Sequence, residues 1–484
     1  MTRRWSSRTW SASVVAFALA ATATAASAQT PPPESPPDKG QVAAAAPPEG
    51  RIVQMGPSRE IKLADNTWFR FAVQIQAWAK MAQDRINVPQ PDGTSSAGGY
   101  AADFYCRRCR FFATGSLVKD VTFNFLFEAG NFGKADPASG VKSYAPPNVL
   151  DAYVQVKFAD YFYLSGGNIL LPISRNGTQP TTTYLSIDNA NIDITGILQG
   201  NSLVLRDLGF QANGFFLDSH LEYRLGAFQG SRAGSTPTQT AGHNPPRFVG
   251  SLQYNFWDTE KGYVNGGHYY GTKKTLGVFL SGDYQTLRKA DPVLGGTSGA
   301  GADKGAYYGI DAAAFINYPL SGSADKAGGD EIVALLEWSL HDGGGTVYPA
   351  GTPAPAGAVL PTYGAVLKQM NLLAEAAYFN KDLKMSFFGK YEMRIIDSGY
   401  TDSAATPSQA SLNQKAGANV AWLAFGLKYY LAPGNLLNLG LQYERIMWSD
   451  ALPTLRADGV TPSNPGLTLA GTNNITLQLQ MILY

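Results

Sequence analysis

From Asn66 onward the chain repeats one pattern. Apolar and more polar residues alternate with period two, the signature of a strand with two different faces. Phe69, Phe71, Val73, Ile75 and Ala77 alternate with Arg70, Ala72, Gln74, Gln76 and Trp78. Val121, Phe123, Phe125 and Phe127 alternate with Thr122, Asn124, Leu126 and Glu128. Leu150, Ala152, Val154, Val156 and Phe158 alternate with Asp151, Tyr153, Gln155 and Lys157. Leu383, Met385, Phe387, Gly389, Tyr391 and Met393 alternate with Lys384, Ser386, Phe388, Lys390, Glu392 and Arg394. Ile475, Leu477, Leu479 and Met481 alternate with Thr476, Gln478 and Gln480. Comparable strands fit near 104–118, 161–170, 204–216, 220–230, 247–257, 274–286, 306–318, 330–341, 363–379, 419–431 and 435–447, about 16 in all.

The connections alternate in length. Tight turns fall at Lys119-Asp120, Ala159-Asp160, Asp218-Ser219, Asn380-Lys381-Asp382 and Ala432-Pro433-Gly434-Asn435. Between them lie long segments rich in Gly, Ser, Thr, Asn and Pro, near 81–103, 131–147, 171–203, 231–246, 287–305, 342–362, 396–418 and 448–472. Short periplasmic turns on one rim and long extracellular loops on the other are the layout of a transmembrane antiparallel β-barrel. The connections 258–273 and 319–329 fit that alternation less well, being longer than a tight turn.

The faces agree. Most ionisable strand residues fall on one phase, and the other phase is Phe, Leu, Val, Ile and Ala. A charge facing mid-bilayer costs about 2–4 kcal/mol, so the apolar phase suits lipid. The polar phase is too polar for a dry core, and a barrel of about 16 strands is wide enough to leave an aqueous channel. The expected fold is all-β, a closed barrel over 66–484. Tyr484 supplies a terminal aromatic residue, one position out of phase with Ile475–Met481.

Composition narrows the setting. Charged residues make up 15% of the 484 residues, well below an ordinary soluble domain, and aromatic residues 12%. No internal run is long and apolar enough for a membrane helix. There is no basic excess of the kind that marks nucleic-acid binding, and none is expected. Arg3, Arg4 and Arg8 precede an apolar stretch from Ser13 to Ala26, and Ala26-Ser27-Ala28 is a small-residue cleavage site. Residues 1–28 therefore read as a signal peptide, with a mature start at Gln29. Its removal takes away three Arg, leaving a net charge of about −2 by simple counting. Residues 29–65 carry Pro31, Pro32, Pro33, Pro36, Pro37, Pro47 and Pro48 among Ala and Glu, and read as an extended periplasmic linker.

Four segments carry a family resemblance. They are Phe104-Tyr105-Cys106-Arg107-Arg108-Cys109-Arg110-Phe111, then Asp151-Ala152-Tyr153-Val154 through Phe158, then Gly167-Asn168 through Leu171-Pro172-Ile173-Ser174-Arg175. The fourth is Arg206-Asp207-Leu208-Gly209-Phe210-Gln211, followed by Leu221-Glu222-Tyr223 and Gly226 to Gly230. In this order and spacing they resemble the phosphate-selective porin O and P family of outer-membrane porins. The resemblance is dense over 100–230. It implies a 16-stranded barrel in the bacterial outer membrane, surrounded by lipid and lipopolysaccharide and assembled as a homotrimer. Such a barrel would pass small hydrophilic solutes or anions such as phosphate by diffusion. The chain departs from the family in having no Lys between Leu171 and Gly230, so phosphate specificity is not supported. The other functional class is a structural or surface-interaction barrel with little transport.

The candidate pore-lining residues are Arg70, Arg108, Arg110, Glu128, Lys157, Arg175, Arg224, Lys384, Lys390 and Arg394. Arg108 and Arg110, two apart, share one strand face and should point inward. There they either pair with lumen acids such as Glu128 on the next strand or, unpaired, raise the local anion concentration. Arg107 is left on the outer phase. The loop 176–200 is expected to fold into the lumen. Glu331 and Glu337 read as lumen polarity. Enzyme signals are poor: no His precedes a Ser by two residues, and no cluster has zinc spacing, so neither cofactor nor metal is expected. In a regular strand Cys106 and Cys109 would lie about 10 Å apart on opposite faces, beyond disulfide reach.

Overall fold

The computed structural model describes residues 61–83, 86–89, 95–97, 99–135, 141–142, 144, 146–192, 205–230, 245–287, 305–320, 328–342, 369–396, 420–432, 435–448, 468–469 and 471–483. The leader 1–28, most of the linker, much of the long loops, the distal part of loop 176–200, and Tyr484 lie outside them.

Among the described residues, 16 antiparallel strands close into one barrel. They are β1 (Thr67–Gln83), β2 (Tyr100–Val118), β3 (Val121–Phe132), β4 (Asn148–Ala159), β5 (Phe162–Leu170), β6 (Arg206–Phe216), β7 (Leu221–Phe228) and β8 (Arg247–Asn255). They continue as β9 (Thr275–Leu287), β10 (Gly305–Pro319), β11 (Glu331–Asp342), β12 (Gln369–Asn380), β13 (Met385–Ile396), β14 (Val420–Tyr430), β15 (Leu437–Trp448) and β16 (Thr472–Leu483). Each strand pairs with its neighbour in sequence, and β16 pairs back to β1, Met481 opposite Ile75. Closure leaves no unpaired edge, which a hydrocarbon setting requires. A short strand, Ile61–Ala64, pairs with the start of β1 where β16 does not reach, so the described sheet begins inside the linker segment.

The faces are the inverse of a soluble barrel's. On β1, Phe71, Val73 and Ile75 are 45%, 38% and 37% exposed on the outside, while Gln74 and Gln76 between them are fully buried inside. On β16, Ile475, Leu477 and Leu479 face out, and Thr476, Gln478 and Gln480 face in. Leu483 continues that outer phase. An apolar band around a polar interior is the surface of a transmembrane barrel.

Two bulges correct the simple alternation. On β2, Arg108 pairs with Gln76 and Cys106 with Ala77, so Arg107 is an extra residue with no partner on β1. Two successive side chains then share one face. Arg107 turns into the lumen beside Arg108, not onto the outer phase. The bulge also returns Cys106 and Cys109 to the same outer face. They form a disulfide with a Cα–Cα distance of 6.3 Å, which the regular-strand expectation had excluded. On β4, Leu150 is likewise the extra residue opposite Leu126 and Phe127, and it is buried inside rather than facing lipid.

Gly167 on β5 shows how tightly adjacent strands approach. Its φ is +135°, and a Cβ there would come within 2.1 Å of the Ala152 carbonyl oxygen. Gly167→Ala is therefore expected to cost at least about 1–3 kcal/mol from the backbone alone. A lower yield of heat-modifiable folded barrel on a gel would show it. Gly389→Ala, whose Cβ meets nothing within 4 Å, should behave as wild type.

Candidate functional site

The described start of the connection from β5 to β6, Leu171–Ile192, folds into the barrel. Its first residues are apolar anchors. Leu171 and Ile173 join Tyr153, Phe228 and Val249 of the wall in one buried cluster. Leu185 and Ile187 pack with Trp78, Tyr105, Val333 and Phe388. Ala190 and Ile192 pack on Phe279, Phe315, Leu335, Leu373 and Trp422. Those inward aromatic and aliphatic residues interrupt an otherwise polar inner face at the places where the loop sits.

The loop's backbone is then satisfied by wall side chains, as buried amides and carbonyls must be. On one side the acceptors are carboxylates. Glu337 accepts from the Asn176 amide at 2.9 Å and the Ser174 hydroxyl at 2.7 Å. Glu375 accepts from the Ser186 amide at 2.8 Å, and Glu392 from the Ile192 amide at 3.1 Å. Gln442 accepts from the Ile187 amide at 3.2 Å. The loop carbonyls meet cations and amides: Lys428 donates to Tyr184, Lys390 to Asn189 at 3.3 Å, and Gln480 to Thr182 at 3.4 Å.

The opposite flank is held by arginines. Asp188 of the loop accepts from Arg107 Nε at 3.0 Å and is also ion-paired with Arg108. Arg108 donates in addition to Gln76 Oε1 at 2.8 Å. Burial pushes the Asp188 carboxyl up, but Arg107 and Arg108 outweigh it and hold the group well below the usual carboxylate range. Its charge, and these ion pairs, persist as pH falls through that range and are lost only below it. Arg110 pairs with Glu128 at 2.7 Å and donates to the Thr181 hydroxyl at 2.8 Å.

A second segment, Phe256–Lys274, enters from the short-turn rim and meets the loop. The Asn265 amide donates to the Thr178 carbonyl at 3.2 Å, and the Gly267 amide to the Thr183 hydroxyl at 3.0 Å. Arg175 bridges the two segments through Glu260 at 3.0 Å and lies over the Phe315 ring at 4.0 Å. Glu331 anchors the segment, accepting from the Tyr269 and Tyr270 amides, the Asn317 side chain and His268. His268 Nδ1 lies 3.1 Å from Glu331 Oε2, and its Nε2 lies 3.1 Å from Ser386 Oγ. That is the connectivity of a Ser–His–acid triad. Ser386 is 0% exposed, so its hydroxyl offers no surface to a substrate, and the three side chains act as a tie between segment and wall.

The sequence candidates divide accordingly. Arg108, Arg110, Glu128, Arg175 and Lys390 converge on the inward loop. Arg224 pairs with Glu222 and donates to the Gly262 and Tyr263 carbonyls of the second segment. Arg70 lies in the inward phase near the short-turn end, over Trp68 at 5.1 Å. Arg394 lies in the inward phase at the loop end of β13. Lys157 pairs with Asp160 at 2.6 Å at the short-turn rim. Lys384 lies outside the barrel wall, exposed in the turn before β13 with φ +53°. Sequence reasoning missed Arg107, Asp188, Glu375, Lys428 and Glu260. Glu375 and Lys428 had an inward strand phase as their signal; Asp188 and Glu260, in the two inward segments, had none, and Arg107 had only the flanking cysteines.

No protein-family model matches the chain, and no curated protein matches its sequence. The chain is similar in structure to the anion-selective porin from Comamonas acidovorans, at 11% identity and TM-score 0.46, over 86% of this chain and 99% of that one. It is similar to the outer membrane channel DcaP of Acinetobacter baumannii, at 13% identity and TM-score 0.47, over 87% and 99%. It is also similar to Pseudomonas putida OprB, at 10% identity and TM-score 0.49, over 85% and 94%. Likenesses this distant say nothing about what the barrel passes; the architecture rests on the strand pairing and the two faces described above.

Proposed function

We propose that this chain is a bacterial outer-membrane channel through which small hydrophilic solutes diffuse past an inward-folded loop. One observation carries the reading. A closed barrel with an apolar outside and a polar inside holds Leu171–Ile192 within its lumen, where the loop sets the width of any passage. Residues 1–28 would deliver the chain for export. The resemblance over 100–230 supports assembly as a homotrimer in lipid and lipopolysaccharide.

The charge arrangement argues against phosphate specificity. Arg108 is matched by Asp188, Arg110 by Glu128, Arg175 by Glu260 and Lys390 by Glu392. Carboxylates outnumber cations among the buried charged side chains. A lumen paired in this way concentrates neither ion strongly.

Planar-bilayer recording tests the reading. The purified protein should give stable conducting steps, with a reversal potential close to zero across a KCl gradient. Absence of steps would leave a structural or surface-interaction barrel, and a strong anion potential would overturn the balanced lumen. Arg108→Ala with Arg110→Ala removes one of the two arginines on Asp188 and the arginine on Glu128. The potential should then move towards cation selectivity, and less so at high salt, where screening is stronger.

A further inference from the structure

We propose that the Cys106–Cys109 disulfide is a positioning staple for the lumen. It fixes the bulge at Arg107 that sets two consecutive guanidiniums on Asp188 of the inward loop. The bridge lies on the outer face of β2, while everything it positions lies on the inner face.

The geometry runs through one extra residue. Tyr105 faces in, Cys106 out, Arg108 in, Cys109 out and Arg110 in, a perfect alternation broken only by Arg107. The cysteines bracket that residue and its neighbour, and they are bonded across them at a Cα–Cα distance of 6.3 Å. A flat strand would set them farther apart on opposite faces, so the closed bridge and the flat register are incompatible. Arg107 has no partner on β1, while its neighbours Cys106 and Arg108 stay paired on both sides, to Ala77 and Gln76 and to Phe132 and Gly130. The ladder fixes the flanks, and the bridge ties them across the extra residue. Inside, Arg107 contributes Nε at 3.0 Å to Asp188 Oδ2, while Arg108 takes the other carboxylate oxygen. Its guanidinium also lies 5.5 Å from the Trp78 ring centroid. Asp188 sits directly between the amides of Ser186 and Ile187, tied to Glu375 and Gln442, and that of Ala190, tied to Asn176. Loosening the grip on Asp188 should therefore loosen that run of the loop.

A disulfide of purely structural value would protect the whole barrel and would be indifferent to Arg107. Amide hydrogen exchange on the full-length folded protein separates the two, and it does not depend on the channel reading. Cys106→Ser with Cys109→Ser, Arg107→Ala alone, and the three changes together are compared with wild type. Exchange at Ser186–Ala190 should speed up about tenfold or more in each, with the strands of the far wall unchanged. The triple variant should exchange no faster than either parent, because both act through the same contact. If the serine variant does not fold, a small dithiol replaces it. One reductant thiolate attacks a sulfur and forms a mixed disulfide; its second thiol then closes a cyclic disulfide. Both cysteines are left as thiols with two protons taken up, and a maleimide mass shift confirms the reduction. Unchanged loop exchange, additive effects of Arg107→Ala and the cysteine changes, or loss of protection spread over all strands would each overturn the proposal. In single-channel recordings, a channel that still conducts but flickers more in the variants would agree with it. A quiet, wild-type trace alongside faster loop exchange would confine the staple to loop order and leave the diffusion reading to its own test.

Discussion

Replacing Gly177–Ala190 with a short Gly-Ser linker should raise single-channel conductance several-fold and shift selectivity towards anions. The first effect follows from width. A barrel of this strand number encloses a channel unless something fills it, and the described filling is this loop together with the segment before β9. The second follows from what the loop covers. Glu337 and Glu375 take their loop hydrogen bonds from Asn176, Ser174 and Ser186, and Gln442 takes one from Ile187. The deletion removes Ser186, Ile187 and Asp188 together. Glu375 then faces water, and Arg107 and Arg108 lose their shared counter-ion. On the acidic side Glu337, Glu375, Glu392 and Glu444 span neighbouring strands, with Lys390 and Lys428 as the nearby cations. The freed arginines lie together on β2, against a broader carboxylate wall. The deletion takes away one acid and no base, and frees two guanidiniums against one carboxylate, so the widened lumen draws anions more than before. Conductance and reversal potential, measured on the same channels, read the two effects separately. Unchanged conductance would mean that solutes do not pass the loop. Higher conductance with unchanged selectivity would mean that the carboxylate wall offsets the freed arginines.

Most of the barrel was legible because its signal is local. Period-two alternation and turn residues place β11 at 330–341 against an observed Glu331–Asp342, and β14 at 419–431 against Val420–Tyr430. The lipid phase was equally legible, since a charge there is expensive whatever the neighbouring strands do. Alternation fails where one strand carries a residue more than its partner. Arg107 and Leu150 were both assigned to the wrong face, and the disulfide was excluded for the same reason. Apart from the two cysteines on β2, nothing in either strand's own sequence marks the extra residue; its place appears only once the partner's register is known. The paired cysteines were the available hint, because a bond between them is possible only across a bulge.

The site was less legible than the wall, for a physical reason. An inward charge looks the same in sequence whether it faces water or a loop amide. Arg108, Arg110 and Lys390 were placed on the correct face, yet each is engaged by the loop or by a wall carboxylate rather than presented to solute. The loop's Thr and Asn content suggested a chain lying in water. Its Leu185, Ile187 and Ile192 in fact dock on Trp78, Leu373 and Trp422. Aromatic residues in the polar phase, Phe388 among them, were the trace of that docking. The connection 258–273 was noted as too long for a tight turn, and it is the second segment to enter the lumen.

Glu331→Ala should release that segment. The carboxylate is fully buried and satisfies four donors: the Tyr269 and Tyr270 amides at 3.1 and 2.9 Å, Asn317 Nδ2 at 3.2 Å and His268 Nδ1 at 3.1 Å. Truncation orphans them in a closed space, and each buried unsatisfied donor costs about 1–3 kcal/mol. The segment can recover that cost only by swinging into the water of the short-turn rim, against ties that include Asn317 to the Gly267 carbonyl, Gln253 to Glu260 and Asn265, and Tyr263 to Asp151 and the Leu170 amide. Arg224 holds the Gly262 and Tyr263 carbonyls, Arg175 holds Glu260, and Asn265 and Gly267 touch the loop. The barrel wall does not depend on it, since β8, β9 and β10 pair along their full length without it. Trypsin added from the short-turn side reads the release directly, because Lys261, Lys273 and Lys274 lie in the segment. The variant should be cut there much faster than wild type while keeping its heat-modifiable barrel band. Glu331→Gln, which keeps one acceptor oxygen, should fall between the two. A Glu331→Ala protein as resistant to trypsin as wild type would show that the other ties, among them Asn317 to the Gly267 carbonyl and the apolar contact of Tyr270 with Phe379 and Tyr430, hold the segment in the lumen without the carboxylate.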